Sequence, residues 1–200
     1  MNRKFLDKKL LLASNNNGKI LEIKELLLPY NITISSASDF KITEPEETGL
    51  TFADNAKLKA GYYGKIQNTP SLADDSGISI EKLDGFPGIY SARIAGENKD
   101  FTSAFKIIEK KLLEKGLNSS PAFFTCCLAL WWPDGHFEVF EGKLNGEISF
   151  PARGSHGFGY GPIFIPNGYD KTLSQITNEE KNKISHRAQA FKNMIKTCFN

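Results

Sequence analysis

The sequence lacks the features that tie a chain to a membrane or cross-link it. Its three cysteines include the adjacent pair Cys126 and Cys127, and no C-x-x-C pair exists. Neither a disulfide framework nor a zinc knuckle is supported, and buried free thiols in a reducing compartment are expected. The apolar stretch at 10–13 is too short for a signal peptide, and no run is long enough to span a bilayer. We therefore expect a cytoplasmic protein without a membrane partner.

The chain also lacks a large excess of either charge, because its 200 residues carry a formal net charge of only +2. Acidic and basic residues are mixed along the chain, which argues against a protein that holds a long nucleic acid by charge alone. A small phosphate ligand remains compatible with this composition. An RNA-binding module is an alternative that only the slightly basic pI and the aromatic residues suggest.

The composition is that of a globular protein, with 40% hydrophobic and 24% charged residues. Two hundred residues suffice for one α/β core or for two lobes that share a cleft. Strand and helix patterns alternate and include one hairpin, so we expect a mixed α/β sheet. The predicted elements are a strand at 10–14, helices beginning near 20, 51 and 101, strands at 71–74 and 78–83 around an acidic turn, a buried strand at 122–132 that turns back into 137–141, and a helical region from 177.

The run Ser14–Lys19 lies between a predicted strand and a helix N-terminus. Backbone N–H groups and the helix dipole make such a turn a suitable anion site, and Lys19 can reach along a phosphate chain. The glycine spacing is not that of a Walker A loop. The alternative is that an asparagine only caps the helix.

Two acidic runs, Glu46–Gly49 and Asp74–Gly77, offer carboxylates that suit magnesium. Mg²⁺ takes hard oxygen ligands and needs one or two carboxylates when waters and substrate phosphates complete its shell. A metal-polarised water whose proton passes to a carboxylate could then attack phosphorus. The alternative is that both runs are solvated turns, since Asp-Ser-Gly is a common turn sequence.

Glycines alternate with aromatic residues in the run Gly157–Pro162. Exposed aromatics between glycines suit stacking on a planar base, because the backbone can approach the ligand closely. The alternative is that these aromatics fill the core beside a glycine-rich hairpin.

The C-terminal helical pattern has apolar residues at 184, 188, 191 and 195. On one continuous helix Lys181 and Arg187 flank this face, whereas His186 points nearly opposite. If all three line one pocket, the helix must break near Ser185, which could cap a new segment. The pattern leaves both arrangements open.

Taken in order, these runs resemble the inosine triphosphate pyrophosphatase family, the house-cleaning enzymes for noncanonical purine nucleotides such as dITP, ITP and XTP. The resemblance covers nearly the whole chain, and its middle motif is long enough to be highly specific. It implies one domain over residues 1–200, with an elongated mixed β-sheet and flanking helices that form two lobes around a central cleft, in a homodimer. The matching stretches are SNNNGK from Ser14, EETGLTFADNAKLKA from Glu46, LADDSGISIEKLDGFPGIYSAR from Leu72, the loop from Gly157 to Phe164, and EEKNKISHRAQAF from Glu179.

The resemblance also implies a reaction and a role for each site residue. The substrate would be hydrolysed at the α-phosphorus to a nucleoside monophosphate and pyrophosphate. Glu47 and Asp75 would hold Mg²⁺, and Asp75 would accept the proton of the attacking water. The substrate-binding residues would be Ser14, Asn16, Lys19 and Lys59 at the phosphates, Ser76 beside them, Phe158, Gly159, Tyr160 and Gly161 at the base, and Lys181, His186 and Arg187 at its polar edge.

The chain departs from the family at Gly161, because the family loop runs Phe-Gly-aromatic-Asp-Pro. That carboxylate belongs to the base-binding side, so its absence should weaken base recognition more than phosphate chemistry. Losing one hydrogen bond to a base edge costs about 1–3 kcal/mol. Two alternatives follow: a broad nucleoside triphosphate pyrophosphatase with relaxed base selection, and a nucleotide-binding protein without efficient turnover.

Overall fold

A computed structural model describes residues 2–96, 100–157 and 159–199 of the chain. Within these ranges the strands form a six-stranded sheet in the order β2-β1-β3-β4-β5-β6. Parallel pairing joins β1 to β2 and β3, and antiparallel pairing joins β5 to β6, so the predicted mixed α/β sheet with flanking helices is confirmed. The elements are β1 (Lys9–Leu12), α1 (Asn17–Leu27), β2 (Thr33–Ser36), α2 (Phe52–Gln67), β3 (Ser71–Ile80), α3 (Phe101–Glu114), β4 (Ser120–Trp131), β5 (Phe137–Ile148), β6 (Phe164–Pro166), α4 (Asn178–Ile184) and α5 (His186–Met194).

The chain contacts define two compact units. The first holds residues up to Asp75, Cys126–Gly142 and residues from Gln189 onward. The second holds Ser76–Thr125 and Lys143–Ala188. The assignment of all 200 residues to one domain stays a prediction.

In the first unit the two faces of the sheet carry separate apolar clusters. Strand β4 divides its side chains between them, because successive residues of a strand point to opposite faces. One face packs Cys126, Leu128 and Leu130 against buried residues of α1. The other packs Cys127, Ala129 and Trp131 against buried residues of α2. The predicted strand with two buried faces is thus confirmed.

Helix α3 closes the apolar core of the second unit. It begins at the N-cap Asp100, whose carboxylate accepts hydrogen bonds from the backbone N–H groups of Thr102 and Ser103. Its buried residues Ala104, Ile108 and Leu112 recur at helical spacing and pack into this core. The helix predicted to begin near 101 is confirmed.

The acidic turn predicted within 71–83 is wrong. Strand β3 runs unbroken from Ser71 to Ile80, and Glu81–Leu83 form a short 3₁₀ helix instead of further strand. Asp-Ser-Gly favours a turn in isolation, but β3 is hydrogen-bonded in the sheet between β1, which pairs with Ser71 and Leu72, and β4. Sheet pairing therefore overrides local turn propensity here.

The predicted free, buried thiols are confirmed for Cys126, Cys127 and Cys198. Among the helices of the described ranges, none combines the length and apolarity needed to cross a membrane.

Candidate active site

The loop after β1 holds a capped helix start. The Asn16 side-chain carbonyl accepts hydrogen bonds from the N–H groups of Gly18 (3.0 Å) and Lys19 (3.3 Å), so Asn16 caps the helix, while its contact with phosphate stays a prediction. Ser14 Oγ accepts from the Asn16 N–H at 3.1 Å. The Asn15 amide donates to the Tyr63 hydroxyl at 3.3 Å and so links the loop to α2. Two of the backbone donors expected to bind phosphate are therefore held by Asn16.

Lys19 lies beside β3 rather than in open solvent. Its ammonium forms an ion pair with Asp74 Oδ1, and both side chains are largely buried. The Cys126 thiol donates to Asp74 Oδ2 at 3.0 Å. Asp74 is thus the buried counter-ion of Lys19. The Lys19 ammonium has three N–H donors, so it can contact a phosphate as well as Asp74.

Lys59 joins the two carboxylates predicted to hold a metal. Its Nζ lies 2.7 Å from Glu47 Oε1 and 2.8 Å from Asp75 Oδ1. Glu47 lies in an irregular loop, Lys59 on α2 and Asp75 on β3, and all three belong to the first unit. The structure therefore brings Glu47, Lys59 and Asp75 together, although Glu47 and Asp75 are 28 positions apart in the sequence.

The electrostatics of this trio follow from burial. Burial alone would lower the pKa of the Lys59 ammonium, but the carboxylates of Asp75 and Glu47 outweigh it and raise that pKa above its ordinary value. Burial raises the pKa of the Asp75 carboxyl, against the opposing effect of Lys59 and Lys19. Asp75 consequently has a higher proton affinity than a solvated aspartate, which suits a group that accepts a proton from water.

The carboxylates fit a divalent cation in number and chemistry. Because both contact one ammonium, their oxygens can be no farther apart than the sum of the two contact distances. Magnesium is commonly held by one or two carboxylates plus waters and phosphates. Among the described residues no group of three or more His, Cys, Asp or Glu could hold a metal, and the pair Glu47 and Asp75 stays a prediction as a metal site.

Asn55 is a residue of this site that the sequence analysis missed. It is fully buried on α2, accepts from the Gly49 N–H at 2.8 Å and donates to Asp75 Oδ2 at 3.4 Å. The available signal was its position four residues before Lys59, which puts both on one helical face. Beside Ala56 and Ala60, two polar residues on a buried face indicate a shared partner.

The glycine-rich loop belongs to the second unit, and Phe158, predicted to stack on the base, lies outside the described residues. Gly157 and Gly159 adopt φ values of 83° and 76°, which glycine reaches without strain. Tyr160 is buried, with its hydroxyl donating to the Ser91 carbonyl at 2.7 Å and its ring edge-on to Phe101. Burial raises its pKa. The Tyr160 side chain therefore fills the core, as the alternative interpretation of this run expects.

Gly161 lies against a buried serine. A Cβ at this position would come 2.6 Å from Ser174 Oγ, closer than side-chain atoms normally approach. Ser174 thus occupies the space into which a side chain at residue 161 would begin.

The C-terminal helix breaks where the pocket arrangement required it. Helix α4 ends at Ile184, Ser185 is extended with ψ 152°, and α5 begins at His186. Ser185 Oγ accepts from the Ala188 N–H at 3.1 Å, as a cap does. Because of this break, the side-chain directions in α4 and α5 do not follow one continuous helical repeat.

The three polar residues around this break are not surface groups of one helix. The His186 ring is half-buried and stacks on Phe124, with ring centroids 4.8 Å apart. Arg187 is buried. Lys181 Nζ lies beside the glycine loop, 3.3 Å from where a Cβ of Gly157 would be. Lys181 and the loop are therefore neighbours in the second unit, as a base-binding role requires.

Comparison with known proteins identifies the family. The model of the Ham1 family matches residues 10–197. The chain belongs to the Ham1 family. It is similar to the dITP/XTP pyrophosphatase of Rhodospirillum centenum, at 45% identity over 98% of each chain, and to that of Zymomonas mobilis, at 45% identity over 95% of this chain and 91% of the relative. Its fold resembles a HAM1 protein from Coxiella burnetii, with a TM-score of 0.88 and 35% identity over 95% of this chain and 98% of the other.

Proposed function

We propose that this Ham1 protein hydrolyses the noncanonical purine nucleoside triphosphates dITP, ITP and XTP to the nucleoside monophosphate and pyrophosphate. The observation that carries the proposal is the trio of Glu47, Lys59 and Asp75, in which Lys59 and Asp75 are buried and Glu47 is partly exposed. It combines two carboxylates that can bind a metal ion with the Lys59 ammonium, which can bind phosphate. The activity named for the similar proteins of Rhodospirillum centenum and Zymomonas mobilis supports the same substrate class.

In this proposal the acidic residues, the two lysines and three polar residues supply the phosphate chemistry. Bound Mg²⁺ would neutralise phosphate charge and polarise the attacking water, with Glu47 and Asp75 as its protein ligands. Asp75 accepts the proton of that water as it attacks the α-phosphorus. Lys59 and Lys19 hold the triphosphate by charge, since both ammonium groups already lie beside β3. Ser14, Asn16 and Ser76 contribute polar contacts at the same end of the substrate.

The residues of the second unit select the base. Phe158 stacks on the purine, the backbone at 159–161 approaches its edge, and Lys181, His186 and Arg187 donate to its polar groups. The base 6-oxo group shared by ITP, dITP and XTP accepts such hydrogen bonds, whereas the 6-amino group of adenine does not. This difference gives cationic donors a preference for 6-oxopurines over adenine, but it does not by itself reject guanine, which also has a 6-oxo group.

The test is product analysis with purified protein. Incubation with ITP, dITP or XTP and Mg²⁺ should release pyrophosphate and the monophosphate in equal amounts, and chelation of the metal should stop it. Release of orthophosphate alone would contradict the proposal. Comparison with ATP, GTP and modified pyrimidine nucleotides measures base selection. Binding without turnover is not favoured, because the curated relatives are named as pyrophosphatases.

We also propose that the protein acts as a homodimer in the cytoplasm. Light scattering coupled to gel filtration measures the mass directly against the 22.3 kDa chain. A monomer at micromolar concentration would reject the dimer without affecting the proposed chemistry.

A further inference from the structure

Asn55 holds the loop of one proposed metal ligand and the side chain of the other. Its Oδ1 accepts from the Gly49 N–H at 2.8 Å, two residues after Glu47, and its Nδ2 faces Asp75 Oδ2 at 3.4 Å. The residue is fully buried, so neither polar atom can exchange these partners for bulk water. An amide side chain accepts at its oxygen and donates at its nitrogen, so Asn55 can serve both partners at once.

The two oxygens of Asp75 are held by different residues of α2. Lys59 contacts Oδ1 at 2.8 Å, and Asn55 contacts Oδ2. Two donors on neighbouring turns of a helix fix the rotation of the carboxylate about its χ2 bond. Without Asn55 the carboxylate keeps a partner at one oxygen and can turn about that contact.

The loop that carries Glu47 is packed tightly against the same amide. A Cβ on Gly49 would lie 2.5 Å from Asn55 Oδ1 and 2.8 Å from the Asn55 backbone nitrogen. Only glycine lets the loop backbone come this close. Glu47 therefore reaches Lys59 from a loop whose position depends on the Gly49–Asn55 contact.

We propose that Asn55 is a positioning residue that sets the distance and orientation between Glu47 and Asp75 for divalent-cation binding. The inference rests on the proposed function in that it takes these carboxylates as the metal ligands. Groups that orient metal ligands typically change metal affinity or activity by about 10–100-fold when removed. Asn55 differs from the ligands themselves because it acts on them through hydrogen bonds only.

The test measures binding of Mn²⁺ to the nucleotide-free protein by the electron paramagnetic resonance signal of the free ion, since carboxylate sites suited to Mg²⁺ also accept Mn²⁺. Asn55→Ala should weaken Mn²⁺ binding by about 10–100-fold. It should also lower kcat at saturating Mg²⁺. The matched control is Ser71→Ala, which removes another buried hydrogen bond between β3 and α2, from Ser71 Oγ to the Ala60 carbonyl at 2.6 Å. It should lower Tm yet keep wild-type Mn²⁺ affinity.

Gly49→Ala gives a second route if Asn55→Ala does not fold, because its methyl group must push the loop off Asn55 while every site side chain remains. Weakened Mn²⁺ binding in either variant, with Ser71→Ala unchanged, supports the proposal. Wild-type Mn²⁺ affinity in the folded variants would overturn it even if turnover falls, while pyrophosphate release by the wild type still upholds the proposed function. A wild-type protein that binds no Mn²⁺ without nucleotide would also overturn the proposal about Asn55, whereas the proposed function is judged by pyrophosphate release.

Discussion

Asp74 and Asp75 are consecutive residues of β3 whose carboxylates point to opposite faces of the sheet. Asp74 meets Lys19 and Cys126 on the face covered by α1. Asp75 meets Lys59 and Asn55 on the face covered by α2. Successive side chains of a strand point to opposite faces, so two adjacent residues of β3 must be separated in this way. The two acids therefore have different tasks.

Replacement of each acid by its amide separates these tasks. Asp75→Asn should lower kcat by about 10²–10⁴-fold with the fold retained, because it removes a charge and a proton acceptor but keeps the shape. Asp74→Asn should lower the free energy of unfolding by about 3 kcal/mol, since it leaves Lys19 without its buried counter-ion. Steady-state kinetics and urea unfolding of both variants measure the contrast. Normal turnover in Asp75→Asn would reject its role.

Removal of the Lys59 ammonium should make the site more dependent on metal. In Lys59→Met the carboxylates of Glu47 and Asp75 lose the ammonium that contacts both of them, which destabilises the metal-free protein by about 3–5 kcal/mol. A divalent cation then binds without competition from the lysine. We expect Mg²⁺ to raise Tm more in Lys59→Met than in wild type, although turnover falls.

The exposed Lys57 on the same helix supplies the control for this measurement. Lys57→Met should respond to Mg²⁺ as the wild type does. An equal Mg²⁺-induced shift in all three proteins would show that Lys59 does not share its position with the cation.

Much of this arrangement could be predicted from the sequence, because it is encoded locally. The caps at Asp100 and Thr177, the spacing of buried residues in α3, and the hydrophobic β4 all follow from short-range patterns. The strand conformation of Asp74–Gly77 could not be predicted in this way, because it is set by pairing with strands that are distant in the sequence. Asn55 was missed for a similar reason: an asparagine in a helix has no visible partner until β3 and the Gly49 loop are placed beside it.

Tyr160 gives a prediction for substrate binding. Tyr160→Phe leaves the buried Ser91 carbonyl without its donor and loosens the glycine loop, at a cost of about 1–3 kcal/mol. Loss of binding shared by ground and transition states raises KM more than it lowers kcat. We expect KM for ITP to rise about tenfold, the equivalent of about 1.4 kcal/mol. The more exposed Tyr169 supplies the control Tyr169→Phe, and an unchanged KM in Tyr160→Phe would contradict the anchoring role.

Base selection at residue 161 must be tested with two substitutions. Gly161→Asp alone forces a Cβ onto Ser174 Oγ and should destabilise the protein by about 1–3 kcal/mol. Adding Ser174→Ala should recover stability, and the double variant should raise the ratio of kcat/KM for ITP over ATP. Thermal unfolding and substrate profiling of the single and double variants measure both effects. An unchanged ratio would show that another group already reads the base.

The thiols should resist alkylation in the native protein. Burial raises the pKa of Cys127 to about 12 and that of Cys198 to about 11, so thiolate is scarce at pH 8.5. Iodoacetamide should add no mass to the native chain and three adducts in urea, where thiol pKa values return to about 8.5. Since the folded pKa values are the higher ones, the free energy of unfolding should fall as pH rises from about 8.5 toward 11. Rapid native labelling would refute the burial.

The contact between Gly161 and Ser174 also constrains the order in which this pocket can change during evolution. A lineage that first acquires an acidic residue at 161 passes through a destabilised protein, because the hydroxyl of Ser174 stands in its way. A lineage that first exchanges Ser174 for alanine loses only that hydroxyl and then accepts the acid. The order of the two substitutions therefore matters. As long as residue 174 is serine, substitution of Gly161 destabilises the protein, so glycine is retained at position 161 until residue 174 changes.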